Sequence, residues 1–169
     1  MHRLVPSVSG FLAFLVDQVT KYVAVERLSD RPNVRVVGDL FQLTLARNAG
    51  AAFSTGTGFT EVFSVIAIVA TGVVVWFGLR ARSALWAFGL GMLLAGVMGN
   101  LADRLFRAPG TLSGHVVDFM ALPHWPVFNV ADVCINIAAA VIVVQAMRGA
   151  RIDGTRSGAE AGGVDGEHS

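Results

Sequence analysis

The chain has 169 residues, of which 54% are hydrophobic and only 15% charged, against about 25% charged in an ordinary soluble domain. Its net charge of +1, from 13 basic and 12 acidic residues, offers no basic surplus and points away from nucleic acid as a partner. The single cysteine, Cys134, rules out an internal disulfide framework, and with no CxxC or HExxH spacing neither a metal site nor a cofactor is expected.

The first apolar block runs over about residues 5–25 and is interrupted late by Asp17, Gln18, Thr20 and Lys21. A cleaved signal peptide is the rival reading, because Arg3 precedes the run containing Phe11, Leu12, Phe14 and Leu15. No small-residue A-x-A site follows promptly, so an uncleaved span is expected. Residues 26–60 then form a connection rich in turn formers, within which Val34 to Leu45 mixes β-branched and aromatic residues and predicts short strands.

Residues 62–79 carry no charge over 18 positions, and residues 83–102 none over 20. Each is long enough to cross about 30 Å of hydrocarbon as a helix. The third span is expected at 83–106, joined to the second by a tight turn, and is followed by a connection over 107–126 containing Pro109, Gly110, Pro123 and Pro126. A fourth span at 127–147 has Asp132 as its only charge, and the tail from Gly149 to Ser169, with six glycines, reads as disordered. The expected architecture is an all-α integral membrane protein with four transmembrane helices and a small extramembrane β-rich cap. Residues 1–148 form its one domain. Lys/Arg bias leaves the orientation tied, with six arginines on each side.

Ionisable side chains within spans are expensive, about 2.5 kcal/mol or more on insertion scales, and usually functional. Asp17 and Lys21 stand i,i+4 in the order that favours an ion pair, and the plainer reading is a structural pair. Asn100, Asp103 and Arg104 share a face near the end of span three, where Asp103 and Arg104 suit a polar clamp. Asp132 lies about one turn inside span four, between Asn129 and Asn136. Asp118 sits 14 residues earlier, before a Pro-rich turn. Two carboxylates in one site cannot both ionise cheaply, so one holds a proton while the other takes one from water, the chemistry of an aspartyl protease. Residue types alone leave open whether Asp118 pairs with Asp132 or with Asp103. His115 and His124 match no zinc spacing, Cys134 and the glycines of span three suit packing, and the tryptophans suit membrane interfaces.

Five boxes make the chain resemble the bacterial lipoprotein signal peptidases, also called signal peptidase II: Asp17-Gln18-Val19-Thr20-Lys21, Asn48-Ala49-Gly50-Ala51-Ala52-Phe53, Gly99-Asn100-Leu101-Ala102-Asp103-Arg104, Val116-Val117-Asp118-Phe119 and Phe128-Asn129-Val130-Ala131-Asp132. Ala102 and Val133 depart from the family's usual residues. The resemblance implies Asp118 and Asp132 as a catalytic dyad. Asp17, Lys21, Asn48, Asn100, Asp103, Arg104, Asn129 and Asn136 would line or brace the site. It further implies a monomer in the bacterial cytoplasmic membrane with both termini cytoplasmic, an extracytoplasmic cap, and a site near the outer face. The implied substrate is a diacylglyceryl-modified prolipoprotein, cleaved N-terminal to its lipidated cysteine. A proton-coupled transporter and a non-enzymatic scaffold are the rival readings from the residues alone.

Overall fold

The computed structural model describes residues 4–50 and 60–155. The box residues 51–53 and the tail from 156 lie outside the described residues. Among the described residues four helices are long and apolar enough to cross a membrane: α1 (Leu4–Leu28), α2 (Thr60–Arg80), α3 (Ala84–Phe106) and α4 (Val130–Met147). Strands β1 (Val34–Val37), β2 (Phe41–Asn48) and β3 (Val116–Ala121) form one antiparallel sheet in that order. The chain is thus a mostly helical, multi-pass membrane protein carrying a small β cap.

α4 starts three residues later than the apolar pattern predicts, because Asn129 caps it. Its Oδ1 accepts the Asp132 N–H at 3.0 Å, and Asp132 Oδ2 accepts the Asn129 N–H at 3.1 Å. This reciprocal pair satisfies two donors that would otherwise be orphaned at a helix start, and it fixes the rotamer of Asp132.

α3 is the central helix, packed against α1, α2 and α4. Its glycines permit that closeness. A Cβ at Gly96 would lie 2.5 Å from the Ala131 carbonyl oxygen and 2.6 Å from Ile135 Cγ1, and one at Gly99 would lie 2.6 Å from Asp17 Oδ2. Gly96→Ala should therefore force α3 and α4 apart, at a cost of about 1–3 kcal/mol. Gly72→Ala, whose Cβ would meet nothing within 4 Å, should be neutral or gain up to about 1 kcal/mol of helix propensity. Thermal unfolding in detergent checks the pair; equal melting temperatures would contradict the packing account.

The sheet is seated on the bundle by an apolar cluster of Ala24, Leu28 and Phe119, against which Leu43, Leu45, Met120 and Val130 pack. Phe128 extends the sheet beyond β3 by exchanging backbone hydrogen bonds with Met120, which closes the connection back toward α4. Asp118 and Asp132 are thereby carried to the same end of the bundle.

At the opposite end the chain just after α4 is held against the start of α3, the remainder of the tail lying outside the described residues. The Ile152 carbonyl accepts the backbone N–H groups of Arg82 and Ser83 at 2.9 and 3.4 Å, and Trp86 Nε1 donates to the Ala150 carbonyl at 3.0 Å. The start of α3 has no side-chain cap, and the returning chain instead supplies an acceptor for the amide of its cap residue Ser83 and for that of Arg82 before it.

Candidate active site

Asp118 lies on β3, buried, with Asn48 reaching across from β2. Asn48 Nδ2 donates to Asp118 Oδ2 at 3.0 Å, and Asn129 Nδ2 donates to Asp118 Oδ1 at 2.6 Å. Asp132, in the first turn of α4, accepts from Asn100 Nδ2 at 2.9 Å and from the Asn129 backbone. Asn129 thus serves both carboxylates, one through its side chain and the other through its backbone. Both carboxylates line one cavity of about 650 Å³, together with Asn48, Asn100, Arg104 and Asn136. Of the two partners the sequence left open for Asp118, Asp132 shares this cavity, while Asp103 stands behind it in ion pairs.

The amide orientations follow from what each neighbour can do. Lys21 can only donate, and its Nζ lies 3.0 Å from Asn100 Oδ1. Asn100 Oδ1 also accepts from Asn129 Nδ2 at 3.1 Å, so Asn100 Nδ2 must face Asp132. The Lys21 charge thereby fixes the direction of a hydrogen bond one residue removed from it.

Behind the cavity, Lys21 is fully buried between Asp17 and Asp103, 2.9 Å from each. Asp103 also pairs with Arg107. Each of the two acids holds backbone next to one of the two cavity carboxylates. Asp17 Oδ1 accepts the N–H of Ala131 at 2.8 Å, and Asp103 Oδ2 accepts the N–H of Val117 at 3.1 Å. The ion-pair cluster therefore ties together the strand that bears Asp118 and the helix that bears Asp132.

Asp103 forms the expected polar clamp within the bundle, with Lys21 and Arg107 rather than with Arg104. Adjacent helical residues point about 100° apart, so Asp103 meets Lys21 and its i+4 neighbour Arg107, while Arg104 turns to the cavity wall. Its guanidinium lies 5.8 Å from the centre of the Phe63 ring, and Nη1 is buried without a hydrogen-bond partner among the described residues. Asn136 lines the cavity, but its Nδ2 donates to the Asp132 backbone carbonyl at 2.9 Å. Two residues of the site were not singled out from the sequence. They are Arg107, signalled by its i+4 spacing from Asp103, and Gln18, which donates to Asp17 Oδ2 and to the Gly99 carbonyl.

Burial pushes the Asp118 carboxyl up to about 6 from the usual carboxylate range, and repulsion from Asp132 adds to the rise. The hydrogen bonds from Asn48 and Asn129 and the Lys21 charge oppose it without cancelling it. The folded pKa is above the unfolded value of about 3.9, so the folded state binds this proton more tightly. Its contribution to stability is full below about pH 4 and is lost as pH rises to about 6, some two units or about 3 kcal/mol. Asp118→Asn should lack this component, so its melting temperature should gain on that of the wild type between pH 4 and pH 6. Thermal unfolding curves of the two proteins that stay parallel across that window would contradict the burial argument.

Residues 10–148 match a family model described as Signal peptidase (SPase) II. Among curated relatives, the lipoprotein signal peptidase of Leifsonia xyli subsp. xyli is 43% identical over 159 residues, covering 94% of this chain and 74% of the relative. That of Mycobacterium leprae is 49% identical over 154 residues, covering 89% and 75%. The Mycobacterium tuberculosis protein is 52% identical over 141 residues, covering 82% and 68%. Among solved structures, a bacterial membrane enzyme determined by the in meso method at 1.9 Å resolution superposes with a TM-score of 0.73 at 26% identity, covering 86% of this chain and 92% of that one. A second, at 2.3 Å, gives a TM-score of 0.72 at 26% identity, covering 86% and 87%.

Proposed function

Since the chain belongs to the signal peptidase II family, we propose that it is an aspartic endopeptidase that removes signal peptides from diacylglyceryl-modified prolipoproteins, cleaving N-terminal to the lipidated cysteine. The observation that carries this reading is the pair Asp118 and Asp132 on the wall of one cavity, joined through Asn129. With its carboxyl raised to about 6, Asp118 is the member that holds the shared proton.

The reaction then runs on the chain's own groups. Asp132 takes a proton from a water that attacks the scissile carbonyl carbon, while Asp118 gives its proton to the carbonyl oxygen. The C–N bond of the tetrahedral intermediate breaks as Asp132 passes its proton to the leaving amine. The hydroxyl proton of the intermediate returns to Asp118 as the new carboxyl forms, restoring the starting state. Asn48, Asn100 and Asn129 keep the two carboxylates facing the reacting carbon. The unpartnered Nη1 of Arg104 suits a substrate carbonyl, and Asn136, on the same wall, suits the peptide main chain.

We place the protein as a monomer in the bacterial cytoplasmic membrane, with residues 1–148 as its protease domain, termini cytoplasmic and the dyad near the outer face. Asp118 belongs to the cap, and Asp132 lies within the first turn of α4, a depth that water reaches. A proton relay fits less well. Asp17 and Asp103 are already engaged by Lys21 and Arg107, and α4 offers no further acid toward its far end. The test is purified protein in detergent, offered one precursor with and without its diacylglyceryl group. Cleavage of the modified form alone is expected, and cleavage of neither form would refute the proposal.

A further inference from the structure

At the end of the bundle remote from the dyad, a second cavity of about 1000 Å³ lies between α1, α2 and α3. It exists because α2 packs against α3 and, among the described residues, not against α1. The tethers of α2 are at its other end, where Thr60 Oγ1 donates to the Ala49 carbonyl and Ser64 Oγ to the Leu112 carbonyl. Toward the remote end, Gly78 on α2 and Ala87 on α3 leave the space facing Gly10 and Phe11 of α1 unfilled. From Ala84 to Met98 the groove follows 15 residues of α3, about 22 Å. That is longer than one leaflet's share, about 15 Å, of the hydrocarbon layer.

The wall of this groove is apolar along its length, and its charge is concentrated at the mouth in Arg82, beside Ser83. Arg82 is held there because its backbone N–H is pinned to the Ile152 carbonyl at 2.9 Å. Among the described residues this end of the bundle carries Arg80, Arg82, Arg148 and Arg151 against one acid, Asp153. An apolar channel between transmembrane helices with a basic mouth has the chemistry of an anionic lipid: an acyl chain for the channel and a phosphate for the arginine. A signal-peptide helix is the competing occupant, but such peptides carry positive charge ahead of their apolar run, which these arginines repel.

We infer that the α1–α2–α3 groove is a binding site for an anionic glycerophospholipid, with one acyl chain in the groove and its phosphate at Arg82. The bound chain fills the gap beside α2 and gives that helix a contact on the side facing α1, where protein contacts are lacking among the described residues. This inference stands independently of the peptidase reading, because its readout is lipid retention.

The probes are dioleoyl phosphatidylglycerol and dioleoyl phosphatidylcholine, which share acyl chains and differ in head-group charge. Native mass spectrometry of the detergent-purified chain should show one phosphatidylglycerol retained in preference to phosphatidylcholine. Arg82→Gln should weaken phosphatidylglycerol retention about fivefold and erase the preference. Gly78→Leu fills the groove from a position where a Cβ meets nothing within 4 Å, and should abolish retention of both lipids without lowering the melting temperature. Equal retention of the two lipids by the wild type, or retention unchanged in both variants, would overturn the site. A synthetic signal peptide that binds the wild type, displaces the lipid and is itself blocked by Gly78→Leu would assign the groove to substrate instead.

Discussion

Asp118→Asn and Asp132→Asn are each expected to lower cleavage of a lipid-modified precursor by about 10²- to 10⁴-fold, with the protein still folded and inserted. An amide neither holds the shared proton nor accepts one from water. The surrounding amides cannot adapt to restore function. Asn100 cannot flip toward Asp132→Asn, because its Oδ1 already accepts from Lys21 and Asn129. Asn48 is likewise held, since its Oδ1 accepts the Gly50 N–H at 2.8 Å. Each variant therefore sets an N–H against an N–H, at about 1–3 kcal/mol, and for Asp118 this is offset above pH 6 by removal of a carboxyl that burial penalises. Turnover and melting temperature, measured on the same preparations, check the expectation. Near-normal turnover in either variant would remove that residue from the dyad.

Lys21→Met should act on the whole protein. It removes the ammonium between Asp17 and Asp103, all three side chains being buried. Breaking a buried ion cluster by deleting one member costs about 3–5 kcal/mol, because the remaining charges stay uncompensated. That is a large part of a total stability of about 5–15 kcal/mol. The acids left behind hold the N–H groups of Ala131 and Val117, so the dyad spacing should loosen as the fold weakens. Lys21→Arg should not rescue it, since a planar guanidinium does not fit where an ammonium meets two carboxylates and an amide. Asp17→Asn combined with Lys21→Met should recover part of the loss by removing one unpaired charge. Folded yield and thermal unfolding provide the check, and a Lys21→Met protein with wild-type melting temperature and turnover would refute the cluster's role.

The spans were legible because a membrane demands long uncharged blocks, and residues 62–79 and 83–102 are such blocks whatever their neighbours do. β1 and β2 were legible from β-branched and aromatic residues between turn formers, whereas β3, which carries Asp118, was read only as part of a turn-rich connection. The start of α4 was misjudged because Val127 and Phe128 are apolar, yet belong to the sheet extension rather than the helix. That Asp103 sits in a polar clamp was legible, but not which base completes it. Composition reports that an acid needs a base, but α3 turns Arg104 away and brings Lys21 in from α1. The ordering of residues 149–155 was hidden because the bonds that hold them are made by backbone groups. The paired roles of Asp17 and Asp103 could not be read either, since their acceptor bonds go to main-chain amides of Ala131 and Val117. The splay of α2, and with it the second groove, depends on which helices touch, which apolar periodicity does not encode.

The most direct test of the central claim is the mass of the two products formed when purified protein cleaves a diacylglyceryl-modified precursor, run beside the Asp118→Asn and Asp132→Asn proteins. The account predicts a mature chain whose first residue is the lipidated cysteine and a signal peptide ending in a free carboxylate, both absent with either variant. A cut at any other bond, or the same products from both variants, would contradict it.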